Sequence, residues 1–141
     1  VTAVPLALPH RNALLAALTL LSQRATGPIA IGEGGAPDPI PKSGLYAVLY
    51  VGQGRRTSAS LADDRTTLSV PFQVTSVGPT AERALWVADR VAEALALVLV
   101  VDGRATWRVE EQGGPALQRD DGVTPPVYYL PVQYRLSSIA S

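Results

Sequence analysis

The chain has no cysteine and no methionine, and only one histidine, one lysine and one phenylalanine. Without cysteine there is no disulfide, no thiolate zinc site and no thiol nucleophile. With a single histidine, any Ser-His-Asp triad or imidazole metal site must pass through His10. That residue stands at the start of a predicted helix, where an exposed ring is expected. An excess of one charge is also missing, since twelve basic and twelve acidic residues cancel to zero. Proteins whose main task is to grip nucleic acid usually carry a basic excess. Long apolar runs are missing too. The longest, Ala94 to Val101, is far short of the roughly 20 residues a membrane-crossing helix needs. The opening "VTAVPLALPH" is apolar but has no basic leader and is broken by proline, so no signal peptide is expected, and the lack of an initiator methionine predicts a processed or trimmed start.

What is present is enough for one core. Hydrophobic residues make up 47% of 141 positions, which fits a single domain. Eleven of the twelve basic residues are arginine, and with so much Ala, Val, Gly and Pro the composition points to a GC-rich genome.

A helix is predicted from His10 to Arg24, where Leu14, Leu15, Leu18, Leu20 and Leu21 form an apolar stripe. Pro9 suits its start, and Gly27-Pro28 ends it. "GPIAIGEGGAPDPIPKSG" is too rich in Pro and Gly for a long element; Ile29 to Ile31 form a short strand or anchor the loop. "LYAVLYV" (45–51) reads as a buried strand. The polar stretch after it is a long hairpin arm or a mobile loop. "LSVPFQVTSV" (68–77) alternates as a strand, with Leu68, Val70, Phe72, Val74 and Ser76 on one side. Pro71 cannot donate to a ladder, so an edge position or a bulge is expected there. A helix then starts at Thr80, a good N-cap, with Glu82 in its first turn. Ala81, Ala84, Leu85, Ala88, Val91, Ala92, Leu95 and Leu99 fall on one face. "ATWRVEE" and "PPVYYLPVQYRLSS" read as two further strands. The predicted order is α-β-β-α-β-β: an α+β domain with a mostly antiparallel sheet flanked by two amphipathic helices. Long loops are expected near 25–44, 52–67 and 111–126, and loops of that length are often functional.

No motif in this order carries chemistry. Asp63-Asp64 and Asp120-Asp121 are paired carboxylates that a metal or acid–base site would use, but no DxDxDG pattern surrounds them. Turn formation through their own backbone is the stronger reading. "GQGRR" (52–56) matches neither phosphate-loop pattern and has no following helix, so it is a loop with a local basic patch. "GEGG" (32–35) is weaker still. Tyr128, Tyr129 and Tyr134 suggest a stacking platform, but strand alternation divides them between core and surface. Trp86 lies off the main apolar face of its helix, as an interface anchor or at the edge of the core. The expectation is a protein with no cofactor, no metal and no catalytic residue, which works by assembling.

"FQVTSVGPTAERALWVADRVAEAL" followed by "RDDGVTPPVYYLPVQYRLS" resembles the tail terminator proteins of long-tailed bacteriophages, in the versions found among phages of actinobacterial hosts. Gln73 to Gly78 match the strand; Ala84, Trp86, Ala88, Asp89, Arg90 and Val91 match the helix; Asp121, Pro125, Pro126, Tyr128, Tyr134 and Arg135 match the closing strand. The resemblance covers about residues 10 to 138 and rests on the order of weak motifs. It implies a structural virion protein, assembled in the host cytoplasm and placed at the head–tail junction. There a ring, typically a hexamer, caps the tail tube and ends its polymerisation. Its implied partners are further copies of itself, the major tail tube protein and a head-completion or connector protein. DNA is implied to pass through the bore without specific binding. A neck adaptor or minor tail protein of the same ring-forming class is the alternative. Arg55, Arg56, Asp63, Asp64, Arg119, Asp120 and Asp121, on the two long loops, are the candidates for subunit or partner contacts, with Trp86.

Overall fold

A computed structural model describes residues 5–57 and 67–140. Two helices lie against one side of an eight-stranded, mostly antiparallel sheet, as expected for an α+β domain. The elements are α1 (Ala7–Thr19), a 3-10 turn (Leu20–Gln23), β1 (Ala30–Glu33), β2 (Tyr46–Val51), β3 (Arg55–Thr57), β4 (Thr67–Gly78), α2 (Ala81–Leu95), β5 (Arg104–Thr106), β6 (Glu110–Gly113), β7 (Gln118–Asp120) and β8 (Val127–Ala140).

The two longest strands, β4 and β8, pair from Leu68↔Ser138 to Gly78↔Tyr128 and form the spine of the sheet. On the outer side of β4 lie β2 and β3, and β1 adds to β2 in parallel. On the outer side of β8 lie β5, β6 and β7. The sequence order was therefore too coarse. The predicted strand 105–111 is broken into β5 and β6, with Trp107 between them and 54% exposed. The expected loop 111–126 contains β7, and the loop 25–44 contains β1. Of the expected loop near 52–67, Arg55–Thr57 form β3 and pair with Thr67 to Ser69, and residues 58–66 lie outside the described residues. These strands are three or four residues long and β6 and β7 are polar. Their partners are supplied by the edges of β2, β4 and β8, so no local pattern marks them.

Pro71 corrects another expectation. It sits neither on an edge strand nor at a bulge, but in β4, between β8 and the β2–β3 side. Its carbonyl accepts the Gly52 N–H at 2.9 Å. The N position of a strand residue points to the same side as its carbonyl, so the missing donor of Pro71 faces the gap between β2 and β3. By the same alternation Pro131 of β8, opposite Thr75, turns its missing donor toward the gap between β6 and β7. Each long strand thus tolerates a proline because its neighbour is interrupted there.

α1 starts earlier than predicted, at Ala7, which puts Pro9 inside its first turn, where an N–H has no intrahelical acceptor in any case. Leu14, Ala17, Leu18 and Leu21 are buried, while Leu20 is exposed. α2 is capped as expected: Thr80 Oγ1 accepts the Arg83 N–H at 3.2 Å. Its buried residues are Ala84, Val87, Val91 and Leu95. Val87 was not on the predicted face, and Leu85, which was, is exposed. Gly78 lets the strand pass directly into this packing. A Cβ there would lie 2.6 Å from the Ala84 nitrogen, against backbone that cannot yield. The core fills the space between helices and sheet, with Phe72 stacked on Tyr134 at 5.3 Å between ring centroids.

Candidate interaction surface

The pairing register divides the sheet residues between two faces. Ala47, Leu49, Phe72, Val74, Val132 and Tyr134 point to the helices and are buried. Among the described residues, no helix covers the opposite face. It shows Tyr46, Val48 and Tyr50 from β2, Ser69, Gln73, Thr75 and Val77 from β4, and Tyr129, Pro131, Gln133, Arg135 and Ser137 from β8. The tyrosines of β8 are split by alternation: Tyr134 is in the core, with burial pushing its phenol up to about 12, and Tyr129 is on the open face, donating to Gln118 Oε1 at 2.8 Å.

This open face has three zones. At one end Tyr46, Tyr50, Val127, Tyr129 and Asp120 surround a hollow of about 380 Å3. Burial raises the Tyr46 phenol, and the nearby Tyr50 and Asp120 raise it further. In the middle, Gln133 Nε2 donates to Gln73 Oε1, and Gln73 Nε2 donates to Thr75 Oγ1, so the row satisfies itself. At the far end Arg55 and Arg135 share a hollow of about 510 Å3 with Thr57 and Ser69. Arg135 also borders a second one, of about 700 Å3, beside Trp107, Arg108 and Glu110.

The candidate residues fall in different places. Arg55 is exposed on the open face, opposite Ser69. Arg56 turns to the helix side, where its Nε donates to the Pro5 carbonyl at 2.7 Å. Asp63 and Asp64 lie outside the described residues. Arg119 and Asp120 close β7, and Asp121 opens the turn to β8. Arg119 pairs with Asp121 at 2.7 Å, and Asp120 Oδ1 accepts the Gly122 N–H at 2.9 Å, the self-bonded turn that Asp favours. Trp86 is half-buried at the rim of the core, with Arg24 and Arg90 over its ring at 5.4 and 5.5 Å. Gly27, at φ +65°, lies under that ring, and a Cβ would stand 2.9 Å from it. Beyond α2 the apolar run turns outward, leaving Leu97, Val98 and Val100 exposed.

His10 was misplaced by the sequence reading. It is buried, not exposed, and its ring joins α1 to β8. Nδ1–H donates to the Leu6 carbonyl at 2.7 Å, because a carbonyl can only accept. Nε2 of the neutral ring therefore accepts from Ser138 Oγ at 2.6 Å, and Ser138 Oγ accepts from Arg104 Nε at 3.2 Å. Burial lowers the His10 pKa; the Leu6 carbonyl opposes this, and Arg104 and Arg56 add to it. A serine beside a histidine invites a catalytic reading. Here both are buried, so no substrate reaches the hydroxyl, and the ring is oriented by a backbone carbonyl and not a carboxylate. The spacing did hold the clue, since His10 lies four residues before Leu14 on the stripe continued by Ala17, Leu18 and Leu21. No group of three His, Cys, Asp or Glu among the described residues could hold a metal ion.

No family model matches this chain, and no curated protein matches it. Solved structures do. One has a TM-score of 0.66 at 20% identity, over 94% of this chain and 95% of its own. A second is a chain of the virion of a native gene transfer agent particle. It has a TM-score of 0.63 at 17% identity, over 98% of this chain and 100% of its own. At such identities the likeness establishes the shared fold.

Proposed function

We propose that this protein is a structural component of a phage-like virion, one that forms a closed ring at the end of a tail tube. The ring ends tube polymerisation and presents the surface to which the head docks. The observation that carries this reading is the end-to-end likeness to a chain of the gene transfer agent virion. The tail-terminator motifs in β4, α2 and β8 support the narrower role. So does a sheet with one face that no helix among the described residues covers, since a ring subunit needs surfaces to present to its neighbours. The reading involves no catalysis and no cofactor. Its partners are copies of itself, a tail tube protein and a head-completion or connector protein, with DNA passing through the bore. A neck adaptor would use the same fold, and differs in what it binds.

The direct test is mass in solution with electron microscopy of the purified protein. A closed ring of about six 14.8 kDa chains is expected. A monomer at every concentration, with no ring added by the tail tube protein, overturns the reading.

A further inference from the structure

The open sheet face has opposite chemistry at its two ends. At one end, Arg55 and Arg135 line a common hollow, and neither side chain makes a hydrogen bond or ion pair among the described residues. Glu110 stands opposite Arg135 across the β6–β8 pair but does not bond it, so both guanidinium forks are open to a carboxylate from outside. Ser69, Thr57 and Ser137 add hydroxyls around them, and the exposed Trp107 stands beside Arg135. At the other end, the β7–β8 turn exposes Asp120 and Asp121 against the single charge of Arg119. Val127 and Arg135 are both in β8, eight residues apart, so the two ends are separated by about 26 Å at about 3.3 Å per residue. The turn of one molecule therefore cannot reach its own arginines.

We propose that the Asp120–Asp121 turn of one copy seats on the Arg55–Arg135 hollow of the next, in a head-to-tail contact along the open face. This rests on the ring reading and says which surfaces close the ring. Two different patches on one chain make a heterologous interface, and such an interface forms a ring when its rotation closes. A short carboxylate turn suits the hollow better than a nucleic-acid backbone, because the chain has no net positive charge to hold a polyanion. The internal bonds of the turn hold it in one shape, so little is lost in ordering it on binding.

Charge exchange tests this in the full chain. Arg55→Glu with Arg135→Glu, or Asp120→Arg with Asp121→Arg, should each reduce the assembled mass to that of the monomer, with the circular dichroism spectrum unchanged. The chain with all four substitutions should assemble again. A second measurement uses the lack of native cysteine: Arg135→Cys with Asp121→Cys should give a ladder of disulfide-linked multimers, and each single substitution at most a dimer. Assembly of both charge-reversed chains, or no recovery in the fourfold variant and no ladder, overturns the proposed contact while the ring reading stands. A wild-type chain that never assembles removes both. Retention of a DNA fragment by wild type that is lost on Arg135→Glu, with assembly unaffected, would assign the hollow to a polyanion instead.

Discussion

His10 is the residue whose environment makes the sharpest prediction. All its hydrogen bonds are satisfied when the ring is neutral: one donor to Leu6 and one acceptor from Ser138. Protonation would turn Nε2 into a donor facing a hydroxyl that already accepts from Arg104, in a buried place that also feels Arg56. The folded-state pKa is therefore lowered below that of the unfolded chain. The sign follows: the unfolded chain binds the proton first as pH falls, so stability is complete above the unfolded pKa of about 6.5. It is lost progressively as pH drops through the lower folded value. Thermal melts from pH 7.5 to 5 should show a steeper loss for wild type than for His10→Gln, whereas equal slopes would show that His10 does not titrate as described. Ser138→Ala should cost roughly 1–3 kcal/mol at neutral pH, because it leaves the buried Nε2 without its donor.

At the scale of elements, the phase of α2 separates two leucines that look alike in sequence. Leu95 is buried against the core, and Leu85 stands 46% exposed. Leu95→Ala should destabilise by about 2–5 kcal/mol. Leu85→Ala should stay within about 0.5 kcal/mol in the isolated subunit. Denaturant unfolding decides, and similar losses for both would mean that the helix is turned differently. Sequence periodicity found this helix and its cap, because Thr80, Glu82 and the alanines are local signals. It missed the rotation, roughly 50° at 100° per residue, because that depends on a second neighbour. α2 packs on α1 and the 3-10 turn as well as on the sheet, which brings Val87 inward. The long strands were equally legible, since β4 and β8 carry their own alternation. The short strands β1, β3, β5, β6 and β7 were not, because their pairing is supplied by β4, β8 and β2 and not by their own residues.

For the whole molecule, the one-sided sheet is the property that matters most for function. The sequence reading placed charged contact residues on loops and treated them as one set. Folding sorts them: Arg55 faces the open side, Arg56 ties the chain at Pro5, and the Arg119–Asp121 turn lies at the far end of β8. Arg135, the partner of Arg55 in the hollow, was visible only as a position in a strand motif, since its neighbour comes from a segment 80 residues earlier. Residues on the open face should thus affect assembly more than folding, and residues such as Leu95 the reverse. The most direct measurement of the proposed role is tail length in virions that lack this protein, read by electron microscopy. A tube terminator predicts filled heads beside unattached tails of excessive length. Tails of normal length that only fail to attach would contradict it and make the protein a neck adaptor.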